Sequence, residues 1–208
     1  MSEIAPSNPR VTQRLRVFAA LELPASALTE LGKILSRLKT ECPREAVRWV
    51  RPEGIHLTLQ FYGETELGVV EGLKAQLAQA AQTSAPLAFT LTELGAFPNL
   101  MRPRVLWVGL AGALAELKQL QRQVEIASGA AGFEPEKRAF APHLTLGRVN
   151  QPLRPQEHGR LANVIKAFRL PTAEPFTCAS LSLMESQLGP GGATYSQLWA
   201  APLGHPNA

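Results

Sequence analysis

The stretch Gly54-Ile55-His56-Leu57-Thr58-Leu59-Gln60-Phe61-Tyr62-Gly63 decides the reading, because its centre returns as Pro142-His143-Leu144-Thr145-Leu146-Gly147-Arg148. The two histidines stand 143 − 56 = 87 positions apart. Side chains alternate faces along a strand, so His56 and Thr58 share one face while Leu57 and Leu59 share the other. The same parity separates His143 and Thr145 from Leu144 and Leu146. The leucines can bury against helices, and the polar pairs then point into a groove. With only 4 histidines in the chain, two copies of one His-Leu-Thr-Leu segment predict a duplicated architecture. The other two, His158 and His205, are expected to be structural or exposed.

Working outward, apolar periodicity places strands at 14–23, 48–50, 56–62, 87–94, 105–110, 143–149, 176–184 and 194–200. Helical spacing marks Leu28 to Leu38, Leu67 to Ala80, Leu114 to Val124 and Leu161 to Phe168. Each half offers strands, amphipathic helices and one copy of the motif. The order is mixed, no glycine fingerprint for a dinucleotide or nucleoside triphosphate is present, and hairpin-like pairs favour an α+β fold with antiparallel sheets. Residues 1–13 read as a flexible tail, 14–200 as one catalytic domain of two lobes, and 201–208 as a loose end.

The chain has 208 residues and a formal net charge of +4, with 45% hydrophobic and 18% charged residues. That suits one globular domain and excludes a disordered chain. The positive balance favours a polyanionic partner, but without dense Lys/Arg runs a local basic groove is expected rather than a long duplex-binding surface. Cys42 and Cys178 are far apart and read as reduced, buried thiols. No apolar run reaches the ~20 residues of a membrane span, and the N-terminus does not read as a signal peptide, so a cytoplasmic protein without membrane partners is expected.

Two histidines facing one phosphate supply both halves of acid–base chemistry. With pKa values near ~6.5, one imidazole can be neutral and take a proton from water while the other, protonated, gives one to a departing oxygen. Threonine hydroxyls can donate to the nonbridging oxygens. Neither motif contains Asp or Glu, so neither resembles a metal site, and neither a metal nor a cofactor is expected.

Together the residues resemble the 2H phosphoesterase superfamily, most closely the LigT-like RNA 2',3'-cyclic phosphodiesterases of bacteria and archaea, also called the 2'-5' RNA ligase family. The resemblance runs from Arg14 to Trp199 through both motifs, Pro103 to Gly109, and Leu183 through Ser186 to Tyr195. It implies a bilobal α+β fold with pseudo-twofold symmetry around a central cleft. It also implies hydrolysis of RNA-terminal 2',3'-cyclic phosphate to a 2'-phosphate, with reversible 2'-5' joining of tRNA halves in some members. By that resemblance His56 is the proton donor and His143 the proton acceptor. Thr58 and Thr145 then hold the phosphate, and Arg148 contacts it. Arg148 has the wrong parity for the groove unless its strand twists, bulges or ends near Gly147. Arg104 is a further candidate for substrate contact. After the first motif the common basic-Phe-Leu-Gly pattern is replaced by Gln60-Phe61-Tyr62-Gly63. Simple alternation sends Phe61 to the core and puts Gln60 and Tyr62 on the His56 face, where Tyr62 could stack on a base. Alternatives are a 2'-5' oligonucleotide or small cyclic-nucleotide phosphodiesterase of the same superfamily, and a noncatalytic RNA-end-binding module. A monomer is expected, since two lobes complete one cleft.

Overall fold

Alternating apolar residues build β1 (Arg14–Glu22), whose Val17, Ala19 and Leu21 are wholly buried. The structure is a computed structural model, and it describes residues 13–172, 174–190 and 192–204. Apart from Gln13, the expected N-terminal tail lies outside the described residues, as does His205. Pro24 then caps α1 (Ala25–Glu41), which buries Leu31, Ile34, Leu35 and Leu38 along one stripe; each such side chain stabilises the fold by ~2 kcal/mol. The first half continues with β2 (Val47–Trp49), β3 (His56–Glu66), α2 (Leu67–Gln82) and β4 (Leu87–Phe97).

The second half runs β5 (Val105–Gly112), α3 (Leu114–Ala130), β6 (Leu144–Val149), α4 (Pro155–Ala167), β7 (Phe176–Cys178), β8 (Ser180–Gly189) and β9 (Gly192–Pro202). Proline at the first turn of α4, and the Arg154 N–H donating to Glu157 Oε2 at 3.0 Å, explain where that helix begins.

All strand pairs are antiparallel. They form a four-stranded sheet, β3-β1-β8-β9, and a five-stranded sheet, β2-β6-β5-β4-β7. Each half therefore lends two strands to the other: β2 and β4 join the sheet of the second motif, and β8 and β9 join the sheet of the first. Helices follow the same exchange. α2 and α3 cover the outer face of the four-stranded sheet. α4 packs on the other sheet and α1 lies beside it, with the Arg37 guanidinium 4.2 Å from the Phe168 ring centroid. The result is the bilobal α+β fold the sequence predicts.

Three expectations change. The strand expected at 176–184 is two strands in different sheets, because the chain crosses between lobes at Ala179, whose carbonyl accepts the Leu203 N–H at 2.8 Å. The end expected to be loose from 201 is ordered through 204: β9 runs to Pro202, Leu203 is buried, and the Gly204 N–H donates to Ala81 O at 3.0 Å. Strand alternation also fails inside both motifs, which reshapes the site.

Candidate active site

The failure has one cause used twice. Along β1, Ala19 pairs with Gln60 and Ala20 with Thr58, so Leu59 is an extra residue in β3. Along β5, Leu106 pairs with Gly147 and Trp107 with Thr145, so Leu146 is an extra residue in β6. Each bulge sits three residues after its histidine and reverses the parity beyond it. In β6 this meets the condition set for Arg148, which lies on the face of Thr145 and is exposed. Gly147 makes the bulge possible: a Cβ there would meet Val47 Cγ1 at 2.6 Å and Arg48 O at 3.1 Å.

In β3 the same device overturns three assignments. Gln60 is buried and donates through Nε2 to Glu134 O at 3.4 Å. Tyr62, offered as a stacking residue in the groove, belongs to the core: its hydroxyl is 2.9 Å from Ser128 Oγ under α3, and its ring lies 4.8 Å from Phe133. Burial pushes its phenol pKa up. Phe61, expected in the core, is 40% exposed on the cleft face. It stacks on Phe18 at 6.3 Å, with the Arg16 guanidinium 4.5 Å from its centroid. Phe61 and Arg148 are 148 − 61 = 87 positions apart, so they occupy equivalent places in the two halves.

Both histidines are held alike. His56 Nδ1 donates to Gly54 O at 2.9 Å, and His143 Nδ1 donates to Ala141 O at 2.8 Å. Each bond to a carbonyl requires a proton on Nδ1 and leaves Nε2 to face a substrate. The rings are also wedged by aromatics. Phe18 lies 4.6 Å from His56 and Tyr195 meets it edge-on at 4.8 Å, while Phe97 meets His143 edge-on at 4.8 Å. Trp107, opposite Thr145, backs Phe97 at 5.3 Å. Gly95 leaves room for that indole, which a Cβ would meet at 2.2 Å. Thr58 and Thr145 are half-buried on the histidine faces. β3 and β6 touch across the cleft, close enough that the charge of a protonated His143 lowers the proton affinity of His56.

Burial is the main influence on both rings. It pushes the His56 pKa down to about 4, against the Gly54 carbonyl and the Glu22 carboxylate, which pull it up. His143 is likewise pushed down by burial, supported by the Ala141 carbonyl and lowered further by the Arg148 charge. Glu22 carries no motif and was missed in the sequence. It sits directly opposite His56 on β1, and its Oε1 accepts from Ser182 Oγ and, at 2.5 Å, from Gln197 Nε2. The fully buried Ser182 on β8 was the available signal: a polar residue between Leu181 and Leu183 needs a partner.

The remaining candidates separate. Arg104 is exposed at the foot of β5, where its backbone ties β4 to β6 by accepting from Val149 N and donating to Phe97 O. His158 lies on α4, away from both motifs. Cys42 and Cys178 are free and buried, and burial pushes their thiols up to about 11 and about 12. Among the described residues, no group of three or more His, Cys, Asp or Glu side chains is placed to hold a metal ion, and no helix is long and apolar enough to cross a membrane.

A duplicated, strand-exchanged α+β fold with one His-x-Thr pair per half defines a class, and comparison with known proteins identifies it. The family described as LigT like Phosphoesterase matches residues 21–107 and again 108–195, one match per half. The chain belongs to that family, within the 2H phosphoesterases. It is 28% identical over 185 residues to an RNA 2',3'-cyclic phosphodiesterase of Methanothermobacter thermautotrophicus, covering 89% of this chain and 97% of the relative. An Escherichia coli K12 protein of the same name is 35% identical over 133 residues, covering 64% and 71% of the two chains. Among solved structures, a Thermus thermophilus protein superposes with a TM-score of 0.73 at 25% identity, over 92% of this chain and all of the other. E. coli LigT bound to 3'-AMP gives 0.70 at 24% identity, over 92% and 99%, a likeness of fold.

Proposed function

We propose that this chain hydrolyses 2',3'-cyclic phosphate at RNA ends to a 2'-phosphate, with His56 as proton donor, His143 as proton acceptor and no metal. The observation that carries this reading is the pair of Nδ1-anchored imidazoles, one per half, each with a threonine on its face. Their fixed tautomers leave two Nε2 atoms for one substrate.

In this mechanism His143 Nε2 takes a proton from water as the water oxygen bonds to phosphorus. The bond from phosphorus to the ribose 3' oxygen breaks, and His56 Nε2–H protonates that oxygen. Phosphate stays on the 2' oxygen, and the strain of the ring is released. Thr58 and Thr145 hydroxyls donate to the nonbridging oxygens as their charge grows, and Arg148 balances that charge from the bulged end of β6. The names of the relatives, RNA 2',3'-cyclic phosphodiesterases, support the substrate class. With an RNA 5'-hydroxyl attacking phosphorus in place of water, the same groups would join RNA halves, such as those of tRNA, by a 2'-5' linkage, and the reverse reaction would open it. Arg104 is assigned a secondary contact with RNA beyond the reacting phosphate.

The test is a panel of RNA ends, 2'-5' oligonucleotides and cyclic mononucleotides assayed with and without chelator. Turnover of the cyclic-phosphate RNA to a 2'-phosphate in chelator is expected. Binding without turnover would leave an RNA-end-binding module, activity restored only by a divalent metal would reject the two-histidine mechanism, and a purely 3'-phosphate product would reject the bond assignment.

A further inference from the structure

A proton donor buried against aromatics has a difficulty of its own: desolvation removes the proton it must deliver. His56 is packed between Phe18 and Tyr195. Its Nδ1 is committed to the Gly54 carbonyl and its Nε2 to the substrate. Neither nitrogen is free for a carboxylate, so any support for the imidazolium must act through space.

Among the described residues, the sheet beneath the ring provides one anion. Glu22 is the cross-strand partner of His56 in the β1–β3 ladder, so both side chains leave the same face of neighbouring strands. The carboxylate is not left to swing in solvent. Ser182 and Gln197, from β8 and β9, both donate to Oε1. Ser182 is wholly buried and Gln197 Nε2 also reaches its hydroxyl at 3.5 Å. Three strands of one sheet thus fix a negative charge beside one histidine. The other histidine has the opposite neighbour, since the charge acting on His143 is Arg148.

We propose that Glu22, anchored by Ser182 and Gln197, is a positioning residue that acts through His56, favouring its imidazolium against the burial that disfavours it. It touches neither substrate nor reacting atoms. The inference rests on the assignment of His56 as the donor, but its first test does not need turnover. The groups facing His56 are Glu22 from β1, Tyr195 from β9 and His143 just before β6, and of these Glu22 alone carries a carboxyl group.

Glu22→Gln keeps an oxygen to accept from Ser182 and Gln197 and removes only the charge. In the full chain, NMR titration of the two imidazoles should show the His56 midpoint falling by about one pH unit, with His143 moving much less. Glu22→Asp, which withdraws the carboxylate by one methylene, should give a smaller fall and guards against a Gln variant that folds poorly. An unchanged or raised His56 midpoint, or equal movement of both rings, overturns the proposal. In turnover, Glu22→Gln should lower kcat/KM about tenfold at pH 7, and the loss should shrink as pH falls to about 4, where the wild-type ring holds its own proton. A loss of the same size down to pH 4 would make Glu22 merely structural. If the chain does not open cyclic phosphates at all, the titration still decides the role of Glu22, while the substrate reading fails separately.

Discussion

At the residue scale, the two histidines are equivalent in local sequence and in tautomer, and their charged neighbours differ, Glu22 beside His56 and Arg148 beside His143. His56→Ala and His143→Ala should each lower turnover by about 10²–10⁴-fold, the usual contribution of one general acid or base. A leaving-group series separates them. A more acidic leaving alcohol needs less protonation, so it should rescue His56→Ala more than His143→Ala; equal rescue, or the reverse, contradicts the roles. The pH profile carries the sign of burial. Desolvation lowers the proton affinity of both rings. The bell of kcat/KM, which reports free enzyme, should therefore peak below the ordinary histidine range of ~6.5. An anionic phosphate between the rings stabilises imidazolium, so the kcat profile should lie at higher pH. Rate measurements from pH 4 to 9 check this, and a kcat profile at or below the kcat/KM profile would contradict it, provided chemistry limits the rate.

At the element scale, the sequence was legible up to the third residue of each motif and misleading beyond it. His56, Thr58 and Thr145 obey alternation and lie on strands as expected, while His143, expected as the first residue of its strand, stands just before β6. Phe61 and Tyr62 were not, because alternation assumes two residues per pleat and the bulge at Leu59 inserts a third. Nothing in Leu59-Gln60 announces it. In β6 the bulge has a visible mark, Gly147, and there the reading left room for Arg148. The break between β7 and β8 escaped for a related reason: Phe176 to Met184 alternates well enough to pass as one strand, and only tertiary pairing shows that Ala179 changes sheets. The bulge also yields a test. Gly147→Val puts carbon where β2 passes at 2.6 Å, so β2 must shift. Overpacking of this kind costs about 1–3 kcal/mol. The variant should lose that stability in urea and should bind phosphate more weakly as Arg148 is displaced. Wild-type stability and phosphate affinity would show that Gly147 does not hold the bulge.

At the scale of the whole molecule, the reciprocal exchange of β2 and β4 for β8 and β9 decides how the chain comes apart. Each sheet, and the helices over it, contains elements from both halves. Unfolding the first half would strip β4 from between β5 and β7 and expose the buried Leu87 and Phe89. Unfolding the second would remove β8 from between β1 and β9, with the wholly buried Leu181 and Leu183. Neither lobe can keep its core alone, so despite two sheets and two repeats the chain should unfold in one cooperative transition. The tryptophans allow a direct check. Trp49 and Trp107 lie in the five-stranded sheet, and Trp199 lies in the four-stranded one. Variants keeping only Trp107 or only Trp199, the others changed to Phe, report each sheet separately. Their urea midpoints, each compared with far-UV circular dichroism of the same variant, should coincide. Two separated midpoints within one variant would mean that the lobes unfold independently and that the exchanged strands do not couple them. Coupling of this kind also serves the cleft, because His56 and His143 stand on different sheets. Their spacing is only as fixed as the contact between those sheets, and strands that each half contributes to the other hold both rings to one frame.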